Sequence, residues 1–156
     1  MDWEQRVAEV WAKLDELSEE DFRAAVDAVA ADLPEAVGVF ERAAAFDSTG
    51  HPDRAVPLYR EALDLGLTGE RRRRAVIQMA SSLRNLGQPE IAVELLTAEK
   101  DAGSDHLDDA VRAFLALALT DVGREREAVS LALGALAPHL PRYQRSLANY
   151  ARLLTE

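Results

Sequence analysis

The chain has 156 residues, 48% of them hydrophobic, no cysteine and a formal net charge of -10. That length suits one domain burying about 70% of the surface its unfolded form exposes, and the lack of cysteine excludes a disulfide framework or a thiolate metal site. The acidic balance argues against nucleic acid as the main partner, because phosphate binding draws its affinity from Lys and Arg releasing counterions.

The first residues, MDWEQRVAEVW, lack the basic run and apolar core of a secretion signal. The longest apolar stretch, Ala113 to Leu119, is far short of the roughly 20 residues a membrane helix needs. A soluble, cytoplasmic protein is expected. In residues 1–33 the apolar Trp3, Val7, Val10, Trp11, Leu14 and Leu17 recur at helical spacing and predict one amphipathic helix. Ser18, with Asp21 three residues on, resembles a capping box. It opens a second helix carrying Phe22, Val26, Val29 and Leu33 on one side, and Pro34 ends the segment. Charge is concentrated here: residues 1–41 hold 12 acids and 3 bases, against 16 and 15 in residues 42–156. The acidic end reads either as a solvated face or as an electrostatic docking surface for a basic partner.

Three stretches then repeat one another: STGHPDRAVPLYREAL, NLGQPEIAVELLTAE and DVGREREAVSLALGAL. Counting from Gly50, Gly87 and Gly123, alanine stands seven residues before (Ala43, Ala80, Ala116) and a large apolar residue four before (Phe46, Leu83, Leu119). Ala follows at plus five (Ala55, Ala92, Ala128), Val at plus six (Val56, Val93, Val129) and Leu at plus eight (Leu58, Leu95, Leu131). The pattern makes physical sense for a pair of antiparallel helices. Glycine takes the left-handed conformation where the first helix ends. Pro52 and Pro89 sit in the first turn of the next, where a missing N–H has no intrahelical partner to lose. The alanines let the helices approach closely. Such a unit cannot bury its apolar side alone, so copies stack. Pro57 falls inside the second helix of the first unit and is expected on the solvent side, within about a turn and a half of the start. After Pro141, residues Tyr143, Leu147, Tyr150 and Leu154 predict one face of a closing helix. About nine helices result.

The three units resemble tetratricopeptide repeats over roughly residues 36–140. The turn glycines, the small Ala43, Ala80 and Ala116, the small Ala55, Ala92 and Ala128, the bulky Phe46, Leu83 and Leu119, and the aromatic Tyr59 match that family's pattern. The early tryptophan and closing proline are not kept. The resemblance implies an all-α, right-handed superhelix of three helix-turn-helix repeats in a single domain, 1–156. An N-terminal helical cap, 1–33, and a capping helix, 141–156, flank the repeats. Among relatives it suggests a small stand-alone bacterial protein, and the arginine-rich, lysine-poor composition suits a GC-rich genome.

No catalytic arrangement is visible: there is no Gly-rich phosphate loop, His-Glu-x-x-His helix or Gly-x-Ser-x-Gly elbow. His51 and His139 read as turn and helix-end residues. His106 and Asp109 stand one helical turn apart and offer two ligands at most, while acids in a first turn already complement the helix dipole. No cofactor, metal or reaction is expected. The run GERRRRA at 69–75 sets four arginines against the positive end of a helix. It reads either as pairing with Glu61, Asp64 or Glu70 or as an anchor for a carboxylate.

If the family's geometry holds, the first helix of each pair lines a concave side. Arg74, Gln78, Ser81 and Asn85 then form a polar stripe in the second unit, Phe114 and Leu117 an apolar wall in the third, and Phe40 and Asp47 the surface of the first. A merely solvated stripe remains an open alternative. The family's clamp for acidic chaperone tails uses Lys, Asn and Arg where this chain has Phe40, Ala44, Gln78, Ala110 and Phe114, so that mode is not expected. The expected function is a protein interaction module or adaptor that binds a peptide or protein segment, without nucleic acid or membrane. Two alternatives stand beside it: a homodimer or larger homo-oligomer formed through Trp3 and Trp11 or through Tyr143 and Tyr150, and a sensor of a small ligand.

Overall fold

A computed structural model describes residues 1–156. The chain forms nine α-helices and no strand: α1 (Trp3–Trp11), α2 (Glu19–Ala30), α3 (Glu35–Ser48), α4 (Pro52–Asp64), α5 (Gly69–Asn85), α6 (Pro89–Ala102), α7 (Asp108–Asp121), α8 (Glu125–Leu136) and α9 (Gln144–Leu153), with a short 3-10 turn at Ala137–His139. It divides into two compact units, Met1–Ser82 and Leu83–Glu156, and the division falls within α5. No helix is long and apolar enough to cross a membrane.

In the first unit α1 packs on α2, α2 on α3, and α3 on α4. Helix α1 is shorter than its apolar periodicity predicts. After Trp11 the chain tightens into turns, with Lys13 N–H donating to Val10 and Leu14 N–H to Trp11, both bonds of the i to i+3 type. The tightening still lays Val10, Trp11 and Leu14 on the buried Phe22, Val26 and Ala45, while Leu17 is left exposed. Ser18 caps α2: its Oγ accepts the Asp21 N–H at 3.1 Å and donates to the Asp21 carboxylate at 2.8 Å. Where α3 crosses the end of α2, Gly38 lets the backbones touch, since a Cβ there would lie 2.6 Å from the Ala30 carbonyl oxygen.

The three aligned glycines share one geometry. Gly50, Gly87 and Gly123 have φ of 80°, 77° and 79°. In each case the residue after the glycine donates its N–H to the carbonyl of Phe46, Leu83 or Leu119, at 2.9 Å in all three. This six-to-one bond with a left-handed glycine is a Schellman turn, and it explains why a fixed residue four before the glycine belongs to the repeat. The alanines flanking each turn are buried, from 0% exposed at Ala43, Ala55, Ala80 and Ala92 to 8% at Ala116. Pro52 and Pro89 begin α4 and α6, and Pro57 is exposed, as expected. Gly66, at φ 86°, makes the same turn at the end of α4, with Leu67 N–H donating to Ala62 at 3.1 Å.

In the second unit α6 packs on α7, α7 on α8, and α8 on α9. The repeat pattern loosens here: Val56 and Val93 are buried, whereas Val129, their counterpart, is 47% exposed. Helix α9 also departs from expectation. It buries Ala151 and half-buries Leu147 and Leu154, but Tyr143 and Tyr150 face solvent; Tyr143 lies before the helix in a left-handed conformation with φ 68°.

Candidate functional site

Within the arginine run at the start of α5, Arg71 is paired with acids far away in sequence. Arg71 reaches Glu4 with both terminal nitrogens at 2.8 Å and Glu41 with Nε at 3.0 Å. Glu41 is only 2% exposed, and its second oxygen accepts the Trp11 indole N–H at 2.8 Å. The Arg71 guanidinium also lies 5.1 Å over the Trp3 ring. Hydrogen bonding to Arg71 holds the Glu4 carboxyl below its ordinary range, and Glu4, ahead of Glu41, pushes the Arg71 pKa up. Neither partner belongs to the set Glu61, Asp64 and Glu70 expected from local sequence. The network also occupies both tryptophans, for Trp11 packs edge-on against Phe22 at 5.1 Å.

Arg74 behaves differently. Its guanidinium sits 5.2 Å over the Phe40 ring, and no carboxylate pairs with it. Phe40 is 0% exposed; it supports Arg74 from beneath and contributes no wall of its own. One turn along α5, Gln78 is half-buried, and its Oε1 is buried with no hydrogen-bond donor in the protein. Most buried polar groups are paired, so the orphan acceptor stands out. Ser81 is half-buried and Asn85 exposed. A cleft of about 280 Å³ opens at the start of α5 between Glu4, Thr68, Glu70, Arg71 and Arg74.

Asp47 is occupied by the fold. It accepts the Tyr59 hydroxyl at 3.0 Å and the Ser82 hydroxyl at 2.9 Å. Burial first, and the Asp47 charge second, push the Tyr59 phenol far above its ordinary value. Ser82, 0% exposed, was hidden in the sequence beside Ser81, and helical phase alone separates the two roles. In the second unit Phe114 is half-buried and Leu117 is 45% exposed on α7. Asp121, at the end of that helix, takes the Arg84 guanidinium.

The histidines lie apart. His139 Nε2 is 2.9 Å from Asp109, which Arg112 also reaches at 3.3 Å. His51 packs edge-on to Phe46 at 6.3 Å, and no group of three or more His, Asp or Glu side chains converges in a metal-holding geometry.

The family described as Tetratrico peptide repeat matches residues 36–154, a span that runs through α9 and so past the three units legible in the sequence. No curated protein and no solved structure matches the chain.

Proposed function

Because this chain belongs to the tetratricopeptide-repeat family, whose members are in general non-catalytic protein-interaction modules, we propose that it is an adaptor binding a peptide or protein segment along the exposed side of α5. The residues of the site are Arg74, Gln78 and Ser81, with Phe40 acting as the support of Arg74 and Asp47 fixing the helix behind them; in the second unit Asn85, Phe114 and Leu117 form a separate candidate surface.

One observation carries the reading: a guanidinium without an acid and a buried amide oxygen without a donor stand one helical turn apart. A peptide unit offers the matching pair, a carbonyl for Arg74 and, once the Gln78 side chain turns outward, an N–H for its Oε1. A buried acceptor left unpaired costs about 1–3 kcal/mol, and a ligand that supplies the donor removes that cost upon binding. The side of α5 is preformed, so the ordering cost falls mainly on the ligand. The acceptor and donor are both neutral to sequence, and selectivity comes from side chains set against Ser81.

The test is capture from native cytosol by the wild type and by the triple variant Arg74→Glu, Gln78→Ala, Asn85→Ala, each first shown by circular dichroism to be folded. A partner retained by the wild type and lost by the variant supports the site. Equal capture by both sinks it.

A further inference from the structure

The two ends of the chain carry opposite surfaces. Around α9 the exposed side chains are Arg142, Tyr143, Arg145, Tyr150, Arg152 and Leu153, with Tyr143 at 72%, Tyr150 at 65% and Leu153 at 46% exposure. Arg142 lies 5.7 Å over the Tyr143 ring, and Arg152 reaches Glu156 and Asn149; no acid pairs with Arg142 or Arg145. The left-handed Tyr143 is held in place, since Gln144 Nε2 donates to Leu140 O at 2.7 Å and Ser146 Oγ to Tyr143 O at 3.2 Å. A bulky residue at positive φ is strained, and here the strained turn holds an aromatic ring out to solvent between two arginines. Aromatic rings and arginines are the residues most enriched at the centres of protein interfaces.

The opposite surface lies at the connection of α1 and α2. Asp15, Glu16 and Glu20 are exposed and no cation pairs with them, and among them Leu17 is 36% exposed. It is the acidic counterpart of the α9 surface: one aliphatic side chain set among like charges, of the sign that α9 requires.

We propose that the α9 surface of one molecule docks on the acidic α1–α2 connection of a second copy of this chain, with Arg142, Arg145 and Arg152 against Asp15, Glu16 and Glu20, and Tyr150 and Leu153 against Leu17. The net charge of -10 repels copies at long range, and the local pairing overcomes it at contact, where complementary charge sets register and partner choice. The interface is independent of the α5 site and stands or falls separately from it.

Sedimentation velocity across a range of protein concentrations reads the proposal directly. The wild-type mass should rise with concentration at low salt and fall back at high salt, where exposed charges are screened. Arg142→Glu with Arg145→Glu and Arg152→Glu, and separately Asp15→Lys with Glu16→Lys and Glu20→Lys, should each weaken association by at least about tenfold. An equimolar mixture of the two charge-reversed proteins should regain it, because the reversed α9 meets the reversed connection. Tyr150→Ala, which leaves charge unchanged, should weaken it as well. A wild type that stays monomeric throughout, an association indifferent to both reversals, or binding of α9 to phosphatidylserine vesicles by a protein of constant mass overturns the proposal.

Discussion

The first unit is tied together mainly by side-chain contacts between residues distant in sequence, whereas the second mixes distant pairs with pairs between neighbours. Glu4 and Glu41 meet on Arg71, Asp47 joins Tyr59 to Ser82, and Asp27 and Asp32 take Arg42 and Arg6. In the second unit Arg84 with Asp121 and His139 with Asp109 stand 37 and 30 residues apart, but Arg112 with Asp109 and Arg124 with Glu127 pair three residues apart, and Arg152 with Glu156 four. The apolar cores differ more sharply. The second unit leaves eight large apolar side chains exposed where the first leaves three, and seven of its thirteen buried apolar residues are alanine. Alanine buries the least area of any apolar side chain, and burial contributes about 25 cal/mol per Å². On this count the first unit gains more from apolar burial, and the second is expected to open at lower cost.

Hydrogen exchange should break or bear out that contrast at once, because amides of α7 and α8 should exchange before those of α2 and α3; uniform protection would abolish it. The largest single effect is expected at Glu41→Gln, which leaves Arg71 and the Trp11 indole facing an uncharged amide in a buried position. Removing one partner of such a pair costs roughly 3 kcal/mol, read as a lower urea midpoint. Gly38→Ala comes next: the added methyl meets backbone, not a flexible side chain, and overpacking of this kind costs about 1–3 kcal/mol. Tyr59→Phe removes one donor from Asp47 and should cost about 1 kcal/mol near neutral pH. Its pH dependence has a definite sign. The phenol titrates near about 10 in the unfolded chain and well above that when folded, so its contribution is complete below about pH 10 and is lost as pH rises further. The wild type should weaken there relative to Tyr59→Phe, which has no such group. The smallest effect has the opposite sign. Gly134 lies inside α8 with open space where a Cβ would go, so Gly134→Ala should stabilise by about 0.5–1 kcal/mol.

The same contrast shows how much was legible in the sequence. Schellman turns are written locally, in a glycine and the residue four before it, and all three were readable along with the Ser18 cap, the leading Pro52 and Pro89 and the solvent-facing Pro57. Gly66 makes an equally regular turn but recurs in no other unit, so repetition could not single it out. The acids that pair with Arg71 were invisible because Glu4 and Arg71 stand 67 residues apart, and no local pattern encodes a pairing at that range. Gly38 looked like an ordinary helical residue; what requires it is the Ala30 carbonyl of another helix. On the candidate site, the polar stripe of α5 followed from spacing of 3.6 residues per turn, whereas the assignments of Phe40 to support and of Asp47 to internal bonding depended on neighbours in α4 and α5. Tyr143 left the expected face of α9 through its backbone conformation, which spacing alone does not report.

Both of the chain's tryptophans, Trp3 and Trp11, belong to α1 and to the network around Arg71 and Glu41. The molecule thus carries its own optical label, confined to one half. Indole emission follows the environment of Arg71 and Glu41, while far-ultraviolet dichroism sums helices of both units. A denaturation followed by both signals needs no added probe to separate the halves: fluorescence lagging behind ellipticity marks the second unit melting first, and superimposed curves mark a single cooperative event.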